Sequence, residues 1–85
     1  TIWLEDASGR LSRLSRALSR SDWAAAGREA HALRGASALL GMHAVVENCA
    51  ALETAARSLR PVPIECAQGV IASTKQAAED LRHIL

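Results

Sequence analysis

Apolar residues that recur at alternating intervals of three and four constrain this chain more than any other feature. The clearest run is Trp23, Ala26, Ala30, Leu33, Ser37 and Leu40, the seam of an amphipathic helix. Three further runs share that spacing. Leu4, Ala7, Leu11, Leu14 and Leu18 form the first, and Val45, Cys49, Leu52, Ala56 and Leu59 the second. Ala67, Val70, Thr74, Ala77, Leu81 and Ile84 form the third. Alanine and leucine dominate, Phe and Tyr are absent, and no strand-like alternation occurs. Strong helix formers at that density predict an all-α domain.

Four amphipathic segments joined by short connections predict an antiparallel up-down four-helix bundle, with helices near 2–19, 22–40, 43–59 and 64–85. Ser21-Asp22 supplies N-cap chemistry for the second helix, and Gly41 suits the left-handed position that ends it. Pro61 and Pro63 separate the third helix from the fourth. Ser8-Gly9 leaves open whether the leading helix is one piece or two.

Eighty-five residues make one small domain, with no room for a nucleotide-binding kinase and no phosphate-cradling glycine loop. The chain opens on Thr1 and then apolar Ile2-Trp3-Leu4, which reads as a module of a longer protein. Ten basic against nine acidic residues give a net charge of +1, too little for general attraction to nucleic acid or membrane. Arg10, Arg13, Arg16 and Arg20 share one face of the first helix. That face is the basis of a competing reading, a helical interaction module that binds nucleic acid. Against it, no aromatic residue interleaves the arginines. Cys49 and Cys66 fit no CxxC pattern and read as reduced thiols, buried or half-buried. No apolar run approaches the ~20 residues that span a bilayer.

Three histidines occupy different settings. His83 falls in a final helical turn, where a cation is tolerated, and His43 in a first turn beside a loop. His31 lies mid-helix, roughly 130° from the centre of the apolar seam at ~100° per residue, so its ring is expected in solvent. Its neighbours on that face are Ala24, Gly27, Gly35 and Ala38, with Arg28 and Arg34 on the flanks. Each mid-helix glycine costs about 0.5–1 kcal/mol relative to alanine. Keeping two beside one exposed histidine describes a docking surface, with Gly27, Arg28, Gly35 and Ala38 as its contact residues. No metal-ligand partner stands at i+3 or i+4 from His31, and no serine is placed for activation. What remains is an imidazole acting as a nucleophile toward something brought by a partner; such a nitrogen can accept a phosphoryl group, and Arg34, one turn along, could supply positive charge to its oxygens.

The run His31-Ala32-Leu33-Arg34-Gly35-Ala36-Ser37-Ala38-Leu39-Leu40-Gly41 closely resembles the HxLKGxSxxLG signature of histidine phosphotransfer (HPt) domains. Ser21-Asp22-Trp23 is similar to the short turn that opens the same helix in that family. The resemblance covers essentially the whole chain. One departure is Arg34 where lysine is usual, which keeps the charge but replaces a point charge by a planar fork. The resemblance implies a carrier without its own ATP site, shuttling phosphoryl groups between receiver-domain aspartates in a multistep relay. His31 would accept at Nε2, any Mg²⁺ would sit on the receiver, and no cofactor would bind here. It also implies a cytoplasmic module of a membrane-anchored hybrid sensor kinase, with neither nucleic acid nor membrane as a direct partner. Gly35 would let receiver loops approach.

In a helical hairpin turning near Met42, a residue 11 before the turn faces one 11 after it. That pairing sets His31 beside Glu53. Family members often hold the imidazole Nδ1–H with a polar residue there, and Glu53 suits the task as an acceptor. Arg57, one turn on, could assist with phosphate or receiver contacts, but reads rather as a plain surface charge. Ser37, on the seam, is expected to bond a carbonyl in the preceding turn.

Overall fold

The computed structural model describes residues 2–58 and 61–85. It contains four helices in sequence: α1 (Ile2–Ser19), α2 (Trp23–Ala38), α3 (His43–Ser58) and α4 (Ile64–Ile84). No strand occurs among the described residues. The helices form an elongated bundle with extents of 39 × 20 × 18 Å. Packing is closest between α2 and α3, intermediate for α1 on α2 and α3 on α4, and slight between α1 and α4. The α2–α3 hairpin is therefore the centre of the fold, and both of its helices contribute to the site described below.

α1 runs unbroken through Ser8-Gly9. Asp22 caps α2, its carboxylate accepting from the Ala25 amide at 3.1 Å, and Ser21 before it takes a positive φ of 56°. Gly41 adopts φ +68° in the turn that follows α2, a conformation favourable only without a Cβ. Pro63 stands at the N-cap of α4, where its missing amide proton costs nothing.

The core is built from small faces. Ala26, Ala30, Leu33 and Ser37 of α2 are buried against Val45, Cys49, Leu52 and Ala56 of α3, with Leu14 and Val70 closing it from α1 and α4. Leu59 falls outside the described residues. Two expected core positions are exposed, Leu40 and Ile84. α2 stops at Ala38, so residues 39–41 form a turn and the helical period no longer aims Leu40 inward. Ile84 lies in the last turn of α4, at the end of the bundle.

On α1 the fully buried residues are Trp3, Ala7, Leu14 and Ala17, whereas Leu4, Leu11 and Leu18 only flank the core. The Trp3 indole Nε1–H donates to Ser37 Oγ at 3.1 Å, inside the core. The partner of Ser37 is therefore across the α1–α2 interface, in place of the expected carbonyl in its own helix. Ser37→Ala leaves that indole donor without an acceptor. We expect it to cost about 1–3 kcal/mol, measured as a lower urea midpoint at unchanged m-value.

Candidate functional site

His31 occupies the middle of α2 on the face turned from the core, with its side chain 70% exposed. Its Nδ1 lies 2.7 Å from Glu53 Oε1 on α3. Glu53 is the reverse case, a carboxylate on the α3 seam whose side chain is only 8% exposed. A buried carboxylate needs a cation or donors to offset its desolvation. Arg34, one turn beyond His31, meets that need: its Nε is 2.6 Å from Glu53 Oε2 and its terminal nitrogen 3.5 Å from Oε1.

This geometry selects the imidazole tautomer. With Nδ1 unprotonated, a ring lone pair would face a carboxylate oxygen at 2.7 Å, two acceptors in repulsive contact. With Nδ1 protonated, the contact is a short charge-assisted hydrogen bond. The Glu53 contact therefore favours the proton on Nδ1, which leaves the Nε2 lone pair free. Arg34 also approaches the ring from the Nδ1 side, at 3.3 Å. An oriented imidazole exposed in mid-helix, with Nε2 free, can attack an electrophile delivered from outside.

Next to the ring lies an open depression of about 500 Å³ between the N-terminal half of α2 and the C-terminal half of α3. It is walled by Trp23, Gly27, Arg28, His31, Glu53 and Arg57. Gly27 has a structural use besides any docking role. A Cβ there would stand 3.3 Å from the Ala56 Cβ, so its absence allows α2 and α3 to approach closely. Gly35 differs: a Cβ at that position meets nothing within 4 Å. Gly35 and Ala38 are both exposed and leave a low surface beside the ring on its C-terminal side.

Three of the residues singled out in sequence, His31, Arg34 and Glu53, thus form one bonded cluster. Arg28 stands in the adjoining depression. Sequence reasoning missed the Arg34–Glu53 ion pair, because the hairpin symmetry that sets His31 beside Glu53 sets Arg34 opposite Ala50, one turn away. Cys49, one turn before Glu53, is fully buried. Burial, aided by the Glu53 charge, pushes its thiol up to about 12, so it stays protonated and unreactive at neutral pH. Cys66 is free and half-buried.

The arginine face of α1 is in part neutralised. Arg10 binds Asp6 at 2.9 Å and Glu29 at 3.2 Å, and Arg13 binds Glu29 at 3.3 Å. Among the described residues no three of His, Cys, Asp and Glu converge on a metal-sized site, and no helix is long and apolar enough to cross a membrane.

No curated protein and no solved structure matches the chain. The family model for the Hpt domain matches residues 1–84. With that match spanning a four-helix chain built around an exposed, hydrogen-bonded histidine, the chain belongs to the Hpt domain family.

Proposed function

We propose that this chain is a phosphoryl carrier in a multistep His–Asp phosphorelay, with His31 as the residue that is phosphorylated. The observation that carries the reading is the 2.7 Å contact between His31 Nδ1 and the buried Glu53 carboxylate. That contact supports an Nδ1–H tautomer with Nε2 free, in a ring that is 70% exposed. In the transfer step the Nε2 lone pair attacks the phosphorus of a receiver's aspartyl phosphate. The phosphorus–oxygen bond breaks, and the aspartate leaves as carboxylate with the bonding electrons. The ring retains its Nδ1 proton and becomes a phosphoimidazolium whose positive charge is set against Glu53. Return transfer reverses these events.

The Glu53 carboxylate is engaged by His31 and Arg34, which supports placing the Mg²⁺ that assists transfer on the receiver. Membership of the Hpt family supports reading this module as a phosphotransfer carrier, not a kinase with an ATP site. Cytoplasmic placement within a membrane-anchored sensor kinase suits such a relay. Nucleic-acid binding through the Arg10–Arg20 face is disfavoured, because Arg10 and Arg13 are engaged by Asp6 and Glu29.

The test is incubation with a panel of receivers carrying ³²P on aspartate. At least one is expected to lose its label within seconds to this chain, on which the label is acid-labile and base-stable. Failure of every receiver to donate, together with a salt-dependent shift on nucleic acid, would replace this reading by that of a binding module.

A further inference from the structure

Phosphoryl transfer to a histidine needs positive charge near the phosphoryl oxygens. The signature-like cation Arg34 is poorly placed to give it. Its Nε is 2.6 Å from the buried Glu53 carboxylate, so the two form a neutral unit. Its terminal nitrogen meets the imidazole at Nδ1, 3.3 Å away, the nitrogen that faces Glu53. The arginine fork makes this side-on pairing possible in a way a lysine ammonium does not.

Two other cations share the depression with the ring. Arg28 precedes His31 by one turn of α2, and Arg57 follows Glu53 by one turn of α3. Both are exposed, and neither makes an ion pair among the described residues. Residues one turn apart on a helix have Cβ atoms about 5–6 Å apart, well within the length of an arginine side chain. Glu53 is already ion-paired with Arg34 and in contact with His31, and Glu29 is ion-paired with Arg10 and Arg13.

We infer that Arg28 and Arg57 form the anion-binding pair that holds the phosphoryl group on His31, while Arg34 serves as a clamp that positions Glu53. The inference rests on the reading of His31 as the acceptor. It assigns the phosphoryl-directed charge to the N-terminal side of the ring and leaves Gly35 and Ala38, on the other side, for close backbone approach by the partner.

The domain alone, with phosphoramidate as donor, provides the test. The His31 Nε2 lone pair attacks phosphorus, the phosphorus–nitrogen bond breaks, and ammonia departs from the protonated donor nitrogen. The ring keeps its Nδ1 proton on Glu53. The ³¹P resonance of the product, assigned by its absence in His31→Gln, is then titrated. A neighbouring cation favours the phosphoryl dianion, so removing one raises the titration midpoint. Arg28→Gln/Arg57→Gln is expected to raise it by about half a unit or more, the size of two unit charges at surface distances. Arg34→Gln is expected to move it less. A double variant with an unmoved midpoint, or an equal or larger rise in Arg34→Gln, overturns the pair while leaving His31 as acceptor. Absence of a His31-dependent resonance overturns both.

Discussion

His31→Gln is expected to abolish phosphoryl acceptance and leave the melting transition within about 1 kcal/mol of the parent. The functional loss is complete because Gln carries no nucleophilic nitrogen: its amide lone pair is delocalised into the carbonyl. The structural cost is small for two reasons. The His31 side chain is 70% exposed and contributes nothing to the core, and exposed substitutions move stability little. Glu53 also keeps Arg34 at 2.6 Å, so the buried carboxylate is not orphaned, and a Gln amide can replace the lost Nδ1–H donor. Phosphoramidate labelling beside a thermal melt reads both quantities. Labelling of the variant at the parent rate, at His43 or His83, would remove His31 from the mechanism.

Gly35→Gln should move stability and transfer in opposite directions. A Cβ at Gly35 meets nothing within 4 Å, so the isolated domain offers no steric objection to a side chain. Replacing a mid-helix glycine by a good helix former then gains about 0.5 kcal/mol, a rise of roughly 2–4 °C in Tm for a domain of this size. The new side chain stands one turn from His31, on the surface proposed for the receiver's backbone. Displacing reacting atoms by ~1 Å costs on the order of a hundredfold in rate, which is the slowing expected in stopped-flow transfer from a phosphorylated receiver. Gly35→Ala should be milder in both respects. Gly27 makes the contrast: its missing Cβ accommodates Ala56 at 3.3 Å, so a side chain there disturbs the α2–α3 packing before any partner arrives. A stabilised Gly35→Gln that transfers at the parent rate would show that the glycine does not clear a docking surface.

The four helices were legible because three-and-four spacing depends on helical geometry alone, and seams such as Ala26–Ala30–Leu33 and Val45–Cys49–Leu52 are buried as that spacing demands. Periodicity is less informative where a helix ends or where a large side chain sits beside the seam. Leu40 kept the period past the last turn of α2 and lies in solvent. On α1, the leucines at 4, 11 and 18 suggested a stripe one position away from the buried line of Trp3, Ala7, Leu14 and Ala17. Trp3 was unreadable as a core residue because its acceptor, Ser37, is 34 residues away. At the site, hairpin symmetry was enough to set Glu53 beside His31. The role of Arg34 was harder to read, because sequence shows a positive charge but not which carboxylate engages it. Only the buried position of Glu53 reveals that Arg34 is committed to that partner.

The account turns on one atom, Nε2 of His31, made nucleophilic by a proton held on Nδ1 against Glu53. A long-range ¹H–¹⁵N correlation spectrum of the ¹⁵N-labelled domain, recorded before and after phosphorylation by its receiver, tests it most directly. His31 is expected to begin as the Nδ1–H tautomer and to acquire phosphorus coupling at Nε2 alone, with the Nδ1 proton retained. Phosphorus on Nδ1, an Nε2–H tautomer in the free domain, or a modified ring at His43 or His83 would contradict it.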